Sequence, residues 1–416
     1  MKTTKLEAFV KGIQSDAINP DVITVAHRSN NKKRDFLFVN KWQGKHIPAN
    51  PVCTEFMLYQ LVELCKKKIP MDKKVLVVGF AETATLIGSH IADNLPNCVY
   101  YVQTTHTQMI DLKSQIDFEE EHSHIKQQYL YWDDSTIPMF DYVLFVDDEA
   151  TTGKTVLNCI DQFNKKFNGL SYGICTICNW IPPKDKYDFK YNKMIDLVYL
   201  IGGHLVDDEH RESPAFVEFK NEWAVDIAEN DSDIQKAICD ASEAFNKTGN
   251  NPLNITSVNT GIDPFTVERY GRRPRLASRA AAEVEVANYL YWNKLEAPFA
   301  EKVLVLGVEE FMEFPFRVAS RLCNLGVDVH FHATTRSPID IQVINGDIHE
   351  NIVDKNMIHS AYDSRITSYV YNLDKYDKIF VIMNQQPNPE FIMDITSALM
   401  LKGNKLKDII FVPAEE

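Results

Sequence analysis

The stretch Tyr142–Thr155 reads YVLFVDDEATTGKT, and the rest of the chain is arranged around it. An apolar run, Tyr142 to Val146, stops at Asp147-Asp148. A loop of small and polar residues, Glu149-Ala150-Thr151-Thr152-Gly153, follows, and Lys154-Thr155-Val156-Leu157 opens a helical pattern. Strand, acidic pair, small-residue loop and helix start, in that order, build a phosphate and sugar site in an open α/β sheet. The N–H groups of the loop and first helical turn converge on one spot. They favour an anion there, by roughly 0.3–1 kcal/mol for the dipole alone. Two carboxylates beside a phosphate would repel it. A sugar diol suits them better, because an ionised carboxylate only accepts hydrogen bonds and hydroxyls donate them.

Gly153-Lys154-Thr155 is also how a Walker A loop ends. That motif needs a glycine five positions before its second glycine, and here the position is Asp148, whose charge would sit against the phosphates. The P-loop is excluded.

Val143–Thr155 resembles instead the phosphoribosyl diphosphate (PRPP) motif of type I phosphoribosyltransferases: an apolar strand, two acids, then a T-T-G-x-T loop. The resemblance implies an α/β fold with a doubly wound, mainly parallel sheet. It places Asp147 and Asp148 on the ribose hydroxyls and Ala150, Thr151, Thr152, Gly153, Lys154 and Thr155 around the 5′-phosphate. Mg²⁺ is expected as cofactor, reaching Asp147 and Asp148 only indirectly, through PRPP.

Composition sets the frame. At 416 residues two to three domains are expected, and 45% hydrophobic residues suffice for buried cores. A net charge of −14 argues against unaided binding to nucleic acid or an anionic membrane. Eight cysteines are scattered through apolar stretches without framework spacing; even the Cys175–Cys178 pair lies in a strand-like run, so core thiols are expected rather than zinc or redox chemistry. The N-terminus lacks a signal-peptide apolar core and no run reaches membrane length, so a soluble, cytoplasmic protein is expected.

Along the chain, residues 1–25 read as a helical or irregular lead-in and Asp35–Asn40 as a strand. Gly44-Lys45-His46 is a turn whose two side chains could serve as cations for a polyphosphate or merely face solvent. Thr54–Lys67 is helical by spacing, and Lys73–Gly79 is a buried parallel strand by its continuous β-branched run. Phe80–Ala84 leads into a helix, Thr85–Leu95. In the resembling family this loop grips pyrophosphate through backbone N–H groups, which suits Ala81 and Thr83; Glu82 fits only if it points away or meets a metal. Cys98–Gln103 is a strand. The long segment to Phe140 holds Glu119–His124, in which Glu121, His122 and His124 are candidates for closing the site or moving a proton, or form a solvated charge run. The helix Thr155–Lys166, the strands Tyr172–Trp180 and Met194–Leu200, and a loop at Gly202–Asp208 complete the unit. A helix at Ala237–Lys247 precedes a linker, 248–261, rich in Asn, Thr and Gly.

Beyond the linker the pattern repeats. Lys74–Glu82 (KVLVVGFAE) pairs with Lys302–Glu310 (KVLVLGVEE), Val102–His106 with His332–Arg336, Tyr129–Tyr131 with Tyr369–Tyr371, and Phe140–Val146 with Tyr376–Ile382. Met383-Asn384 and Gln385-Gln386-Pro387 replace the acids and the loop, so the second copy has no PRPP pocket. It gains Arg272, Arg273, Arg275 and Arg279 instead, residue types suited to phosphate or carboxylate. The domains expected are 1–247, a phosphoribosyltransferase unit, and 262–416, a degenerate repeat of it.

The loop GFAETA, the EEHSH segment, the GKHIP turn and the later ATTRSP sequence together resemble one subfamily: phosphoribosyltransferases with a C-terminal TRSP domain, from bacterial tellurium-resistance and stress gene clusters. The resemblance implies phosphoribosyl transfer to a nitrogenous, nucleobase-like acceptor in a pathway making a nucleoside-like metabolite, and a homodimer. His106 departs from it, since arginine is expected after the two threonines. A non-catalytic PRPP- or nucleotide-binding regulator is the alternative.

Overall fold

The computed structural model describes residues 6–28, 31, 34–108, 114–119, 127–132, 134, 137–181, 195–207, 279–342 and 351–413, with single residues and short pairs between 211 and 274. The first half contains β1 (Val10–Gln14), β2 (Ile23–His27), β3 (Phe36–Asn40), α1 (Pro51–Lys68), β4 (Val75–Gly79), α2 (Thr85–Asn94), β5 (Cys98–Gln103), β6 (Ile116–Glu119), β7 (Gln127–Leu130), β8 (Tyr142–Ala150), α3 (Lys154–Lys166), β9 (Ser171–Asn179) and β10 (Asp196–Leu205). Three two-residue strands follow: β11 (Phe216–Val217), β12 (Asn254–Ile255) and β13 (Arg273–Pro274). Then come α4 (Arg279–Lys294), β14 (Lys302–Gly307), α5 (Glu313–Asn324), β15 (Asp328–Ala333), β16 (Ile341–Gln342), β17 (Lys355–His359), β18 (Thr367–Tyr371), β19 (Lys378–Met383), α6 (Pro389–Met400) and β20 (Ile409–Pro413).

The first sheet runs β1-β10-β9-β8-β4-β5-β13, parallel at its centre and antiparallel at both edges. This is the expected α/β sheet. Strand β4 shows why its sequence is apolar throughout: Val75 and Val77 pack into the layer with α1 and α2, Leu76 and Val78 into the layer with α3. Winding reverses between β4 and β8, the two neighbours whose crossovers leave in opposite directions. In open α/β sheets ligands bind beyond the strand carboxyl ends at that reversal. Helix α1 starts where Asn50 accepts the Val52 N–H at 2.9 Å and Pro51 takes the first helical position.

The second sheet, β12-β20-β19-β14-β15, is parallel throughout. Its strands β15, β14, β19 and β20 repeat the order of β5, β4, β8 and β9. The hairpin β17–β18 matches β6–β7, down to paired bridges Thr105–Tyr129 and Thr335–Tyr369. One apolar cluster runs through both halves, from Leu58 and Leu86 to Phe316 and Phe331.

Three expectations are corrected. Residues 1–25 include two strands rather than only an irregular lead-in. Gly202–Leu205 is not a loop but the end of β10, paired with β1; a Cβ on Gly203 would meet Val10 Cγ1 at 2.4 Å, so glycine lets β1 approach. Strand β8 does not stop at Asp147, because the nine-residue β9 pairs with it as far as Ala150. The helix expected at Ala237–Lys247 and most of the linker lie outside the described residues, although Asn254–Ile255 of that linker form β12. Arg272 and Arg275 also lie outside them, whereas Arg273 begins β13 and Arg279 begins α4.

Candidate active site

A cavity of about 210 Å³ opens at the reversal between β4 and β8. Asp147, Asp148, Thr151 and Thr155 line one side of it and Phe80, Ala81, Glu82 and Thr83 another. The sequence-predicted ribose acids, phosphate loop and pyrophosphate loop are therefore brought to one place. The β4 and β8 strands end in register, Gly79 opposite Val146, and the Phe80 N–H continues the pairing to Val146 O at 2.9 Å. The Ala81 N–H is held by Thr104 Oγ1 at 2.8 Å, and the Ala81–Glu82 peptide is cis.

On the β8 side the Asp147 carboxylate accepts the Asp148 N–H at 2.9 Å. Gly153 takes φ +70°, turning the chain into α3, where the Leu157 N–H reaches Gly153 O at 2.9 Å. Thr151 and Thr155 thus face the cavity at a helix N-terminus. Ala150 is buried in the apolar layer below, Thr152 is half-buried, and Lys154 is exposed.

Sequence reasoning missed Glu149 and Arg34. Arg34 Nη2 donates to both Glu149 oxygens, at 2.7 and 3.0 Å, and the guanidinium lies 4.5 Å from the Phe36 ring centre. Burial pushes the Asp148 and Glu149 carboxyls up, with Arg34 opposing it in both. The only signal in the sequence was a third acid, read as loop because the apolar run had ended. Arg28, Gln128, Arg336 and Ser337 also line the cavity.

Lys45 and His46 line it too, but not as cations for a polyphosphate. Lys45 Nζ spends its three donors on protein: the Glu82 carboxylate at 3.0 Å and the Glu309 and Thr334 carbonyls at 3.1 Å each. His46 donates from Nε2 to Ser337 O at 3.2 Å, and burial lowers its pKa to about 3, so the ring is neutral. Both are buried rather than on a solvated turn. Glu82 lines the cavity, but its carboxylate is engaged by the second half: it accepts from Thr335 Oγ1 at 2.8 Å and from the Arg336 N–H at 3.2 Å. Glu121, His122 and His124 lie outside the described residues.

Among the described residues no three His, Cys, Asp or Glu side chains converge as a protein-held metal needs. A Mg²⁺ beside Asp147 and Asp148 would take most of its oxygen ligands from substrate and water, its usual habit with phosphates.

Reversed winding, paired acids at the end of β8 and a small-residue loop leading into α3 are the arrangement of a phosphoribosyltransferase-type fold. The family described as phosphoribosyl transferase matches residues 22–204, and the TRSP domain that lies C-terminal to it matches residues 266–399. The chain belongs to this phosphoribosyltransferase family, in the form that carries a TRSP domain. No curated protein matches it. Among solved structures, adenine phosphoribosyltransferase from Giardia lamblia complexed with 9-deazaadenine is 15% identical, covering 44% of this chain and 94% of that one, with a TM-score of 0.33. The Trypanosoma brucei adenine enzyme in complex with AMP, pyrophosphate and ribose-5-phosphate is 15% identical, covering 54% and 88%, with a TM-score of 0.33. Orotate phosphoribosyltransferase from Aeropyrum pernix is 15% identical, covering 43% and 86%, with a TM-score of 0.28. No helix among the described residues is long and apolar enough to cross a membrane.

Proposed function

We propose that this protein transfers the phosphoribosyl group of PRPP to a nitrogen of a nucleobase-like acceptor and releases pyrophosphate. One observation carries the reading: Asp147, Asp148, Thr151 and Thr155 share a single cavity with the Phe80–Thr83 loop at the sheet's reversal. The bond from the anomeric carbon to the diphosphate oxygen breaks, the acceptor nitrogen bonds to that carbon, and the nitrogen's proton leaves. The protein's task is to position the two reactants and stabilise the leaving charge.

Asp147 and Asp148 hold the ribose hydroxyls, and Thr151–Thr155 with the α3 N-terminus hold the 5′-phosphate. Ala81–Thr83 hold the diphosphate through backbone groups. Mg²⁺, when bound with the donor beside Asp147 and Asp148, would supply charge neutralisation at the diphosphate. Glu121, His122 and His124 close the site or handle the acceptor's proton. Residues 1–247 form the transferase unit, joined through 248–261 to the degenerate unit 262–416. The setting proposed is cytoplasmic synthesis of a nucleoside-like metabolite in a tellurium-resistance or stress cluster.

Calorimetric titration of PRPP with Mg²⁺ into the wild type and into Asp147→Asn/Asp148→Asn tests the donor site. Binding abolished by the double change supports it and leads to an acceptor screen read by pyrophosphate release. No binding by the wild type, with or without nucleobases, overturns it. Binding without turnover on any acceptor favours a PRPP-responsive regulator.

A further inference from the structure

The two repeats grip each other through the same contact made twice. Glu82, in the loop after β4, accepts the N–H of Arg336, the residue that follows Thr334-Thr335 after β15. Glu310, its counterpart after β14, accepts the N–H of His106, which follows Thr104-Thr105 after β5, at 3.2 Å. A contact from i to j matched by one from j to i is the mark of a two-fold, isologous interface, here built within one chain. The supports around it are shared as well. Thr104 Oγ1 accepts from the Ala81 N–H and Thr334 Oγ1 from the Glu309 N–H, at 2.8 and 3.1 Å. Helix α5 packs on α1 and α2, where Arg317 pairs with Asp93 and Ser320 with Glu55. The apolar cluster common to both halves makes the pairing permanent.

The symmetry fails at the cavities. In the second half the place of the ribose acids is taken by Met383-Asn384, and buried Glu309 accepts from Arg336 Nε at 2.7 Å and from Ser368 Oγ at 2.9 Å. In the first half the cavity is open, and both His106 and Arg336 line it. The guanidinium that position 106 lacks is present in that cavity, delivered across the two-fold from the equivalent position of the other repeat.

We infer that the C-terminal half is the resident partner of the transferase half, and that Arg336 donates to the diphosphate end of the donor in the N-terminal cavity. The inference rests on the donor reading above. Glu309 fixes the guanidinium through Nε at 2.7 Å and Nη2 at 2.5 Å; among the described residues Nη1 has no protein hydrogen bond. A planar fork held on one edge keeps its other edge for an oxyanion. The surrounding charges define what Arg336 contributes. Glu82, Glu309 and Glu310 act on both Arg336 and Lys45, so these five groups carry no positive excess to attract an anion from afar. Arg336 therefore acts by directed hydrogen bonding once the donor has entered. A second copy of the chain is not required to complete the site.

The test is calorimetric titration of PRPP with Mg²⁺ into the full chain. Arg336→Ala is expected to weaken binding about ten- to a hundredfold, the usual loss for a hydrogen bond to a charged group. His106→Arg in the Arg336→Ala background returns a guanidinium to the same cavity from the other side of the two-fold. It is expected to recover most of the loss, which repair of a merely structural defect would not do. The wild type is expected to bind one PRPP per chain as a monomer in light scattering. Binding by Arg336→Ala within twofold of wild type overturns this inference and leaves the donor site standing. A folded Arg336→Ala that binds weakly and is not rescued also overturns the assignment. Absence of PRPP binding by the wild type overturns the donor reading and this inference together.

Discussion

The Glu82 carboxylate accepts the backbone N–H of Arg336 at 3.2 Å, although 254 residues separate them in the chain. The same carboxylate pairs with Lys45 Nζ at 3.0 Å, and the Lys45 side chain is only 2% exposed. Burial lowers the Lys45 pKa, and Glu82 is the main charge opposing that shift. Glu82 is thus the anion that makes a buried ammonium tolerable while tying the β4 loop to the second half.

Removing that anion should be costly. Glu82→Ala is expected to destabilise the fold by about 3–5 kcal/mol, the usual loss when one partner of a buried pair is deleted. Lys45→Met in the same background should return part of it, since no buried charge is then left alone. Urea unfolding of the single and double variants measures both. A loss below about 1 kcal/mol in the single variant would mean that water reaches Lys45 and that the clamp is not a stabilising element.

Acid should loosen the same interface. His46 is neutral in the fold with a pKa of about 3, lowered first by burial and then by Lys45, His332 and Arg28; in the unfolded chain an imidazole titrates near 6.5. Between those values the unfolded chain binds more protons. Stability is therefore full above about pH 6.5 and declines as the pH falls toward 3. The decline could reach ~5 kcal/mol from His46 alone. His90, lowered to about 4 by burial and by Arg317, adds in the same direction. Urea midpoints from pH 7.5 to 4 should fall steeply for wild type and less steeply for His46→Gln. Equal slopes would remove His46 as a cause.

The parallel core was legible in the sequence because β4, β8 and β9 are buried on both faces and so read as continuous apolar runs. That the two loops after β4 and β8 would meet was legible for a related reason: acids and small residues at strand ends have few purely structural uses, and both loops line the one cavity. The alternating edge of the sheet was not, because β1 is half exposed and its partner at Gly202-Gly203 looks like a turn. The roles of Lys45, His46 and Glu82 were hidden for a different reason. Each is decided by contacts 250 or more residues away, with Glu309, Thr334, Thr335 and Ser337. The repeat itself was visible, but which residue of one copy faces the other's cavity depends on the two-fold, which no local pattern records.

Gly153 provides a local test of the phosphate loop. Its φ of +70° is the left-handed region, and a Cβ there would meet Ile181 Cδ1 at 3.2 Å. Gly153→Ala is expected to cost about 1–2 kcal/mol of stability. Because the α3 N-terminus would shift with the turn, phosphate-end binding should suffer more than the fold. PRPP affinity is expected to drop about tenfold or more, while inorganic pyrophosphate, whose proposed contacts are the β4 loop and Arg336, should bind as before. Parallel titrations of the two ligands decide it; equal losses would mean that the change spreads beyond the 5′-phosphate pocket.

Arg34 and Glu149 form another charged pair in the cavity, with side chains 17% and 10% exposed. Burial raises the Glu149 pKa and Arg34 is the strongest force against it. In Arg34→Met that restraint is gone, so the folded-state pKa of Glu149 rises further above its unfolded value of about 4.3. A carboxyl raised by folding stabilises at low pH, and the contribution is lost as the pH climbs through the folded pKa. The variant's deficit against wild type should therefore be small near pH 5 and grow to about 3–5 kcal/mol by pH 8, where an unpaired buried carboxylate must be carried. Adding Glu149→Gln should flatten that slope. Unfolding midpoints at the two pH values for wild type, single and double variants provide the measurement. A deficit that is the same at pH 5 and pH 8 would assign the cost to lost stacking of Arg34 on Phe36 rather than to the stranded charge.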